Sequence, residues 1–339
     1  MSAEKMNGKK WKQWKQSLQM PAIVLLLVVI MSIWKPGIFF TFSNARSILL
    51  SICIYGVMMC GTIFPLLNGG IDLSIGSIAA LSGCTMVLVT MAGGYTTGAT
   101  LLGILLGVLL GAVCGAFNGA ISSFFGIPAF IVTLALKNVV LGVAQHITGQ
   151  KTITCLDSGL MNWLGIGKVL GVPFPIVFFV LLLLFTWWAL KYTTFGKYAY
   201  AVGGNAKAAR YSGINTRAME IGTYVISGLT AAFAGILLSC FNRQAVYSQA
   251  SGYDGDVLVA LVVGGVSMAG GEGKLSGAVY GLLIIGILNN AMVLVGVDSI
   301  YQGLVKGLLV IFAVAFDYYA RNRNNGLKKK TLRSIFVNG

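Results

Sequence analysis

Acidic residues are scarce in this chain. Asp and Glu number 9 among 339 residues, against 24 Lys and Arg and a single histidine. Charged residues of both signs make up 10%, whereas 57% of the chain is hydrophobic. A water-soluble domain of this length has no way to cover so much apolar surface. Enzymatic motifs are missing as well. No G-x-x-x-x-G-K-[ST] occurs; GGEGKLS at 270–276 fails in its spacing and places Leu275 after the lysine. There is no H-E-x-x-H, no G-x-S-x-G and no G-x-G-x-x-G at a strand–helix junction. No nucleophile–base pair or metal cluster emerges, so a membrane-embedded enzyme has no support. The lone His146 reads as an interfacial residue, not a proton relay. None of the six cysteines forms C-x-x-C or a metal-ligand spacing. Five lie in or beside apolar runs, as packing residues do; Cys155 falls in a loop and has no assigned role.

What is present is a series of apolar runs, each about the 20 residues that a helix needs to cross a bilayer. They place spans near 20–35, 47–67, 75–92, 99–124, 128–148, 172–191, 218–240, 256–268, 275–296 and 299–319, the eighth being short. The expected fold is therefore all-α, a polytopic membrane protein of about ten helices. Glycine, at 45 residues, suits close helix packing. The N-terminal run lacks a small-x-small cleavage site and ends in WKPG, so it reads as an uncleaved first span.

The net charge of +15 is concentrated at both ends and in one central loop. That placement fits a topology signal and lipid headgroup contact better than nucleic-acid binding. With both termini cytoplasmic, the inside segments carry 17 positive residues and the outside loops 5, as the positive-inside rule requires. Lys137 and Lys306 fall within spans. Snorkelling, or pairing with Asp298 or Asp317 near the ends of its span, accounts for Lys306.

Four local patterns carry more. Gly103, Gly107, Gly111, Gly115 and Gly119 form a smooth stripe that reads as packing. The stretch 115–130 faintly parallels 286–300, with Asn118 opposite Asn289 and Gly126 near Gly296. The two blocks run in opposite directions, so an inverted repeat is a candidate feature. In NGGIDLSIGSIAALSG (68–83), Asp72 has two readings. Either it caps a helix that starts at Leu73, accepting from the amide of Ser74 or Ile75, or it faces a wet pathway at a broken helix. In the loop 192–217, Gly203 and Gly204 break the chain, Asn205 caps a helix of about two turns and Gly213 ends it. Ala206, Ala209 and Gly213 give that helix a small-residue face suited to docking in a partner's groove.

Three motifs carry a family resemblance: GGIDLSIGSIAALSG (69–83), YAVGGNAKAARYSGI (200–214) and VVGGVSMAGGEGKLSGAVYGLLIIGILNN (262–290). In this order they resemble the permease subunits of ribose-type ABC sugar importers, which also serve xylose, galactose and autoinducer-2. The resemblance spans roughly residues 20 to 320. It implies a type II-like permease in the bacterial cytoplasmic membrane, pairing as a homo- or heterodimer. It also implies a cytoplasmic ATPase partner, which holds ATP and Mg, and an extracytoplasmic sugar-binding protein. No cofactor is then expected on this chain. The same resemblance gives ATPase-coupling roles to Gly203, Gly204, Asn205, Ala208, Ala209 and Gly213. It divides the chain into a basic segment 1–19, a permease domain 20–319 and a basic tail 320–339.

Asn68, Asp72, Ser74, Asn118 and Asn289 are polar residues near breaks or inside spans, and are the candidate lining of a solute route. Two departures leave the sugar open. Leu141-Gly142 stands where the family often has Arg-Gly, and YDGDVLVA (253–260) has Gly255 in place of a leucine. The competing reading is a secondary carrier working without an ATPase. The missing carboxylate relay and the loop at 192–217 count against it.

Overall fold

A computed structural model describes residues 20–155, 158–298, 301–308, 310, 311 and 315. The segments 1–19 and 320–339, and Asp317, lie outside the described residues. The apolar runs become helices α1 (Met20–Trp34), α2 (Pro36–Phe39), α3 (Phe42–Leu67), α4 (Ile75–Ala92), α5 (Thr97–Phe125) and α6 (Ala129–Thr148). After these come α7 (Gly159–Ile166), α8 (Phe174–Tyr192), α9 (Thr194–Gly204), α10 (Ala206–Tyr211) and α11 (Thr216–Asn242). The chain continues through α12 (Tyr253–Val263) and α13 (Leu275–Val295) to a helical stretch α14 over 301–308. Two short ribbons pair β1 (Ile153–Thr154) with β4 (Gln244–Ala245), and β2 (Lys168–Val169) with β3 (Val172–Pro173), all antiparallel.

Among the described residues, seven helices are long and apolar enough to cross a membrane: α3, α4, α5, α6, α8, α11 and α13. Side-chain caps start several elements, as the local sequence suggests. Thr41 accepts from the Asn44 amide at α3, Thr96 from the Ala99 amide at α5 and Asn215 from the Ala218 amide at α11. Helices α5, α6 and α13 each stop at a left-handed glycine, namely Gly126, Gly149 and Gly296.

Helices α3, α4 and α11 form the buried centre, while α5, α6 and α8 turn apolar side chains such as Leu105, Phe125, Val139 and Leu181 outward. One end of the bundle carries the strand pairs, where the Cys155 amide donates to the Arg243 carbonyl at 2.9 Å. We term it the strand face. Cys155 is buried there, packed with Cys84, Cys240 and Met161. The opposite end, where α3 finishes and α9 and α10 lie, is the junction face. Helices α3 and α11 run in opposite directions between them, as do α5 and α13.

The glycine stripe of α5 packs first on α4 and then on α11. A Cβ at Gly103 would lie 2.7 Å from the Met86 carbonyl oxygen, and one at Gly107 2.9 Å from that of Ser82. Further along, a Cβ at Gly111 would lie 2.6 Å from the Ala232 methyl, and one at Gly119 2.6 Å from Ile221 Cα. Backbone is thus pressed on backbone, and close approach of this kind is what holds helices together in lipid. At Gly115 a Cβ would lie 2.8 Å from the Tyr224 carbonyl carbon, whereas around Gly98 there is open space. Gly115→Val should destabilise the protein by roughly 2 kcal/mol or more, since overpacked backbone has no side chain to yield. Gly98→Val should leave its melting temperature in detergent unchanged. Thermal unfolding of the two variants, read by tryptophan fluorescence, checks the contrast.

Candidate functional site

Two interruptions shape the centre of the bundle. The first is the non-helical segment 68–74 between α3 and α4. Helix α4 begins at Ile75, not at Leu73 as the capping reading expected. Asp72 still accepts from the Ser74 amide, at 3.0 Å, and its Oδ1 also accepts from the Ser74 hydroxyl at 2.6 Å. Its second oxygen accepts from Ser227 Oγ of α11 at 2.7 Å. Asn118 of α5 donates to Ser74 Oγ at 2.9 Å, which brings α4, α5 and α11 into one network. Asp72 is 3% exposed. All of its close partners are donors from the protein, so a buried carboxylate costing about 2.5–3.5 kcal/mol at a bilayer centre is compensated inside the bundle.

The backbone around Asp72 is satisfied from neighbouring helices. Thr133 Oγ1 of α6 accepts from the Leu73 amide at 3.2 Å and lies 3.2 Å from the Ile71 carbonyl. Tyr224 of α11 donates to that same carbonyl at 3.4 Å.

The second interruption, 246–252, separates β4 from the short helix α12. Its acids repeat the first pattern. Gly252-Tyr253-Asp254-Gly255-Asp256 caps and opens α12, with both acids in its first turn, while Gly70-Ile71-Asp72-Leu73-Ser74 lies just before α4. Asn289 of α13 donates to Asp256 Oδ2 at 3.2 Å and to Tyr55 at 3.4 Å, as Asn118 donates to Ser74. This match supports the inverted repeat over α5 and α13. Two ion pairs are added. Lys137 of α6 meets Asp254 at 2.6 Å, and Lys306 of α14 meets Asp256 at 2.7 Å. Lys306 therefore pairs with Asp256 of α12, a partner that the sequence did not suggest; Asp317 lies outside the described residues. The pairs were not read from sequence because each spans more than 40 residues. The alternation of acids after Gly252, set against Gly70 to Ser74, was the available signal.

The three family motifs meet at the junction face. The Gly271 amide donates to the Leu67 carbonyl at 2.8 Å. A Cβ at Gly270 would lie 2.8 Å from Gly69 Cα and 2.9 Å from Gly203 Cα, and one at Gly271 2.6 Å from Gly204 Cα. Three double-glycine segments, 69–70, 203–204 and 270–271, are thus stacked backbone to backbone. Gly203 and Gly204 do not break the chain here; they form the last turn of α9, and their lack of side chains serves this contact. Tyr200 of α9 donates to the Gly273 carbonyl at 2.9 Å. Burial raises its phenol above the ordinary value, which keeps it a donor.

Helix α10 follows directly. Asn205 Oδ1 accepts from the Ala208 amide at 3.0 Å, the expected cap. Gly213 adopts φ +85, and the amides of Gly213 and Ile214 return to the carbonyls of Arg210 and Ala209. The helix has 6 residues, little more than one turn and a half. Ala209 does not join an exposed small-residue face. It is buried against Ala199, Val202 and Met219 and seats the helix. Every other residue from Gly204 to Gly213 is exposed, including Asn205, Ala206, Ala208 and Gly213, with Tyr211 at 92%.

The five candidate route residues therefore separate into three places. Asp72, Ser74 and Asn118 form the first network and Asn289 belongs to the second. Asn68 caps the C-terminus of α3 near the glycine junction, and its side-chain oxygen is buried with no hydrogen-bond partner among the described residues. No group of three or more His, Cys, Asp or Glu side chains able to hold a metal occurs among the described residues.

A polytopic helical bundle with interrupted helices fits the architecture of a membrane permease. The chain matches, over residues 44–314, the family described as branched-chain amino acid transport system / permease component, and it belongs to that family. Among curated proteins it is 35% identical over 322 residues to the ribose import permease protein of Escherichia coli K12, covering 94% of this chain and 99% of the relative. The ribose import permease protein of Bacillus subtilis 168 is 38% identical, with 87% of this chain and 90% of the relative covered. The L-arabinose transport system permease protein of Escherichia coli K12 is 36% identical, with 92% of each covered. No solved structure matches the chain.

The Asp72 network predicts a graded response. Asp72→Ala leaves three buried donors without an acceptor and should cost roughly 3 kcal/mol. Asp72→Asn keeps one acceptor oxygen and should cost less. Melting temperatures of the two variants in detergent give the order; a larger loss in Asp72→Asn would contradict it.

Proposed function

We infer that the chain is the membrane-spanning permease subunit of an ATP-driven ABC importer that moves a sugar inward. Its family membership and its ribose and arabinose permease relatives support this reading. The chain is a transport subunit; ATP is hydrolysed in a separate ATPase, consistent with a sequence that has no nucleotide-binding motif. The sugar arrives from an extracytoplasmic binding protein, and a second permease subunit completes the route.

The observation that carries the coupling role is the seat of α10. A capped, exposed helix follows directly on a backbone junction that joins the first interruption to the turn between α12 and α13. Force applied at α10 therefore reaches the centre of the bundle without crossing a soft side-chain layer. In this reading Gly204, Asn205, Ala208 and Gly213 face the ATPase, Gly203 forms the junction beneath them and Ala209 anchors the helix. In this reading the junction face is cytoplasmic, the spans expected near 20–35, 256–268 and 299–319 bring the crossings to ten, and both termini are cytoplasmic. The split of 17 to 5 positive residues supports this orientation.

Reconstitution in proteoliposomes with the cognate ATPase and binding protein tests the function. Uptake of tritiated D-ribose, L-arabinose, D-xylose or D-galactose is expected only when ATP and the ATPase are present. Uptake by the permease alone would make it a secondary carrier. For the coupling helix, Ala208→Trp puts bulk on the exposed side of α10 without disturbing its cap or its αL end. It should abolish co-purification of the ATPase while leaving the melting temperature of the permease unchanged. Full co-purification would remove α10 from the contact.

A further inference from the structure

The starts of α4 and α12 open onto one cleft. Gly76 and Ser77 of α4, Lys137 of α6, and Tyr247, Ser251 and Asp254 around the second interruption line it, with a cavity of about 90 Å3. The Asp254 side chain is only 9% exposed. Its Oδ2 is taken by Lys137, while Oδ1 has no hydrogen-bond partner among the described residues. A buried carboxylate oxygen left open in this way is uncommon, because an unmet acceptor normally costs 1–3 kcal/mol. Gly76 lets α4 pack close to this carboxylate: a Cβ there would lie 2.6 Å from the Ala250 carbonyl oxygen and 3.3 Å from Oδ1.

The chemistry around the open oxygen narrows what it receives. Lys137 and Asp254 cancel one another's charge, so the cleft has no reason to attract an ion of either sign. It offers an acceptor in Oδ1, a donor in the lysine ammonium, serine hydroxyls that act as both, and the ring of Tyr247. This set fits adjacent hydroxyls on an uncharged carbon chain. The cavity is small and partly open, so it suits one edge of a solute. Partial enclosure suits a route, which must release what it admits. Half-helix N-termini facing each other across a repeat are also where transporters commonly hold solutes.

We propose that the cleft between Gly76, Lys137, Ser251 and Asp254 is a hydroxyl-recognition subsite, where one edge of a neutral polyol or monosaccharide pauses on its way through the permease. The proposal rests on the importer reading. It shifts solute contact from the Asp72 network, whose carboxylate is met by protein donors, to Asp254, whose carboxylate is half open.

The test measures sugar moved per ATP hydrolysed, in proteoliposomes holding the permease, its ATPase and its binding protein, with tritiated D-ribose, L-arabinose and D-galactose. Asp254→Asn removes the charged acceptor with little change of shape. Ser251→Leu fills the cleft and touches neither ion pair. Both variants should lower the sugar-to-ATP ratio by roughly tenfold, the loss of one hydrogen bond to a charged group. The drop should differ among the sugars, with ATP hydrolysis and melting temperature retained in Ser251→Leu. An unchanged ratio in Ser251→Leu overturns the subsite. So does a parallel fall of transport and ATP hydrolysis in both variants, which would make the cluster a structural clamp. A wild-type complex that moves none of these sugars, or moves them without ATP, overturns the importer reading instead.

Discussion

Everything at the centre of this bundle depends on satisfying backbone that is not helical. In hydrocarbon an unpaired amide or carbonyl costs several kcal/mol, so a helix is interrupted only where neighbours supply the missing partners. Here Thr133 and Tyr224 serve the backbone of 71–73, and Asp72 serves Ser74. Around the second interruption, turns at 246–253 close their own backbone hydrogen bonds, and the Gln249 side chain donates through Nε2 to Ser239 Oγ. Helices α6 and α11 are thereby fixed against the two breaks by hydrogen bonds as well as by apolar contact.

The hydrogen-bond nodes at Ser74 and Asp256 are laid out alike but differ in chemistry. A residue two positions after an aspartate meets an asparagine from the antiparallel partner helix, but that residue is Ser74 in one half and Asp256 in the other. The first node is compensated by hydroxyl and amide donors, the second by two lysines. Removing one member of a buried ion pair is far costlier than removing a hydroxyl donor. The node beside α12, a helix of only 11 residues, is thus held by ion pairs where the node before α4 is held by neutral donors.

Much of this was legible from sequence. The apolar runs located the long helices to within a few residues, because helix existence follows from composition alone. The cap at Asn205 and the turn at Gly213 are local events, set by residues three to five apart, and both formed as expected. The stripe from Gly103 to Gly119 packs as its spacing suggested. What stayed hidden was long-range. Gly203 and Gly204 looked like a chain break because glycine weakens helices, whereas tertiary contact with Gly270 and Gly271 retains them in α9. Ala209 looked exposed for want of knowing which side of α10 faces Met219. The pairs Lys137–Asp254 and Lys306–Asp256 join distant segments, and no local rule assigns them.

The glycine junction has a further consequence. Where side chains separate two elements, rotamer changes absorb small displacements, and motion fades with distance. At 69–70, 203–204 and 270–271 the main chains touch directly, and there is nothing between them to rearrange. One of these segments begins the first interruption; another follows α12 and leads into α13. The junction therefore behaves as a stiff knuckle shared by three arms. A tilt of α9 would therefore reach the start of the first interruption and the turn between α12 and α13 together, with no rotamer change between them.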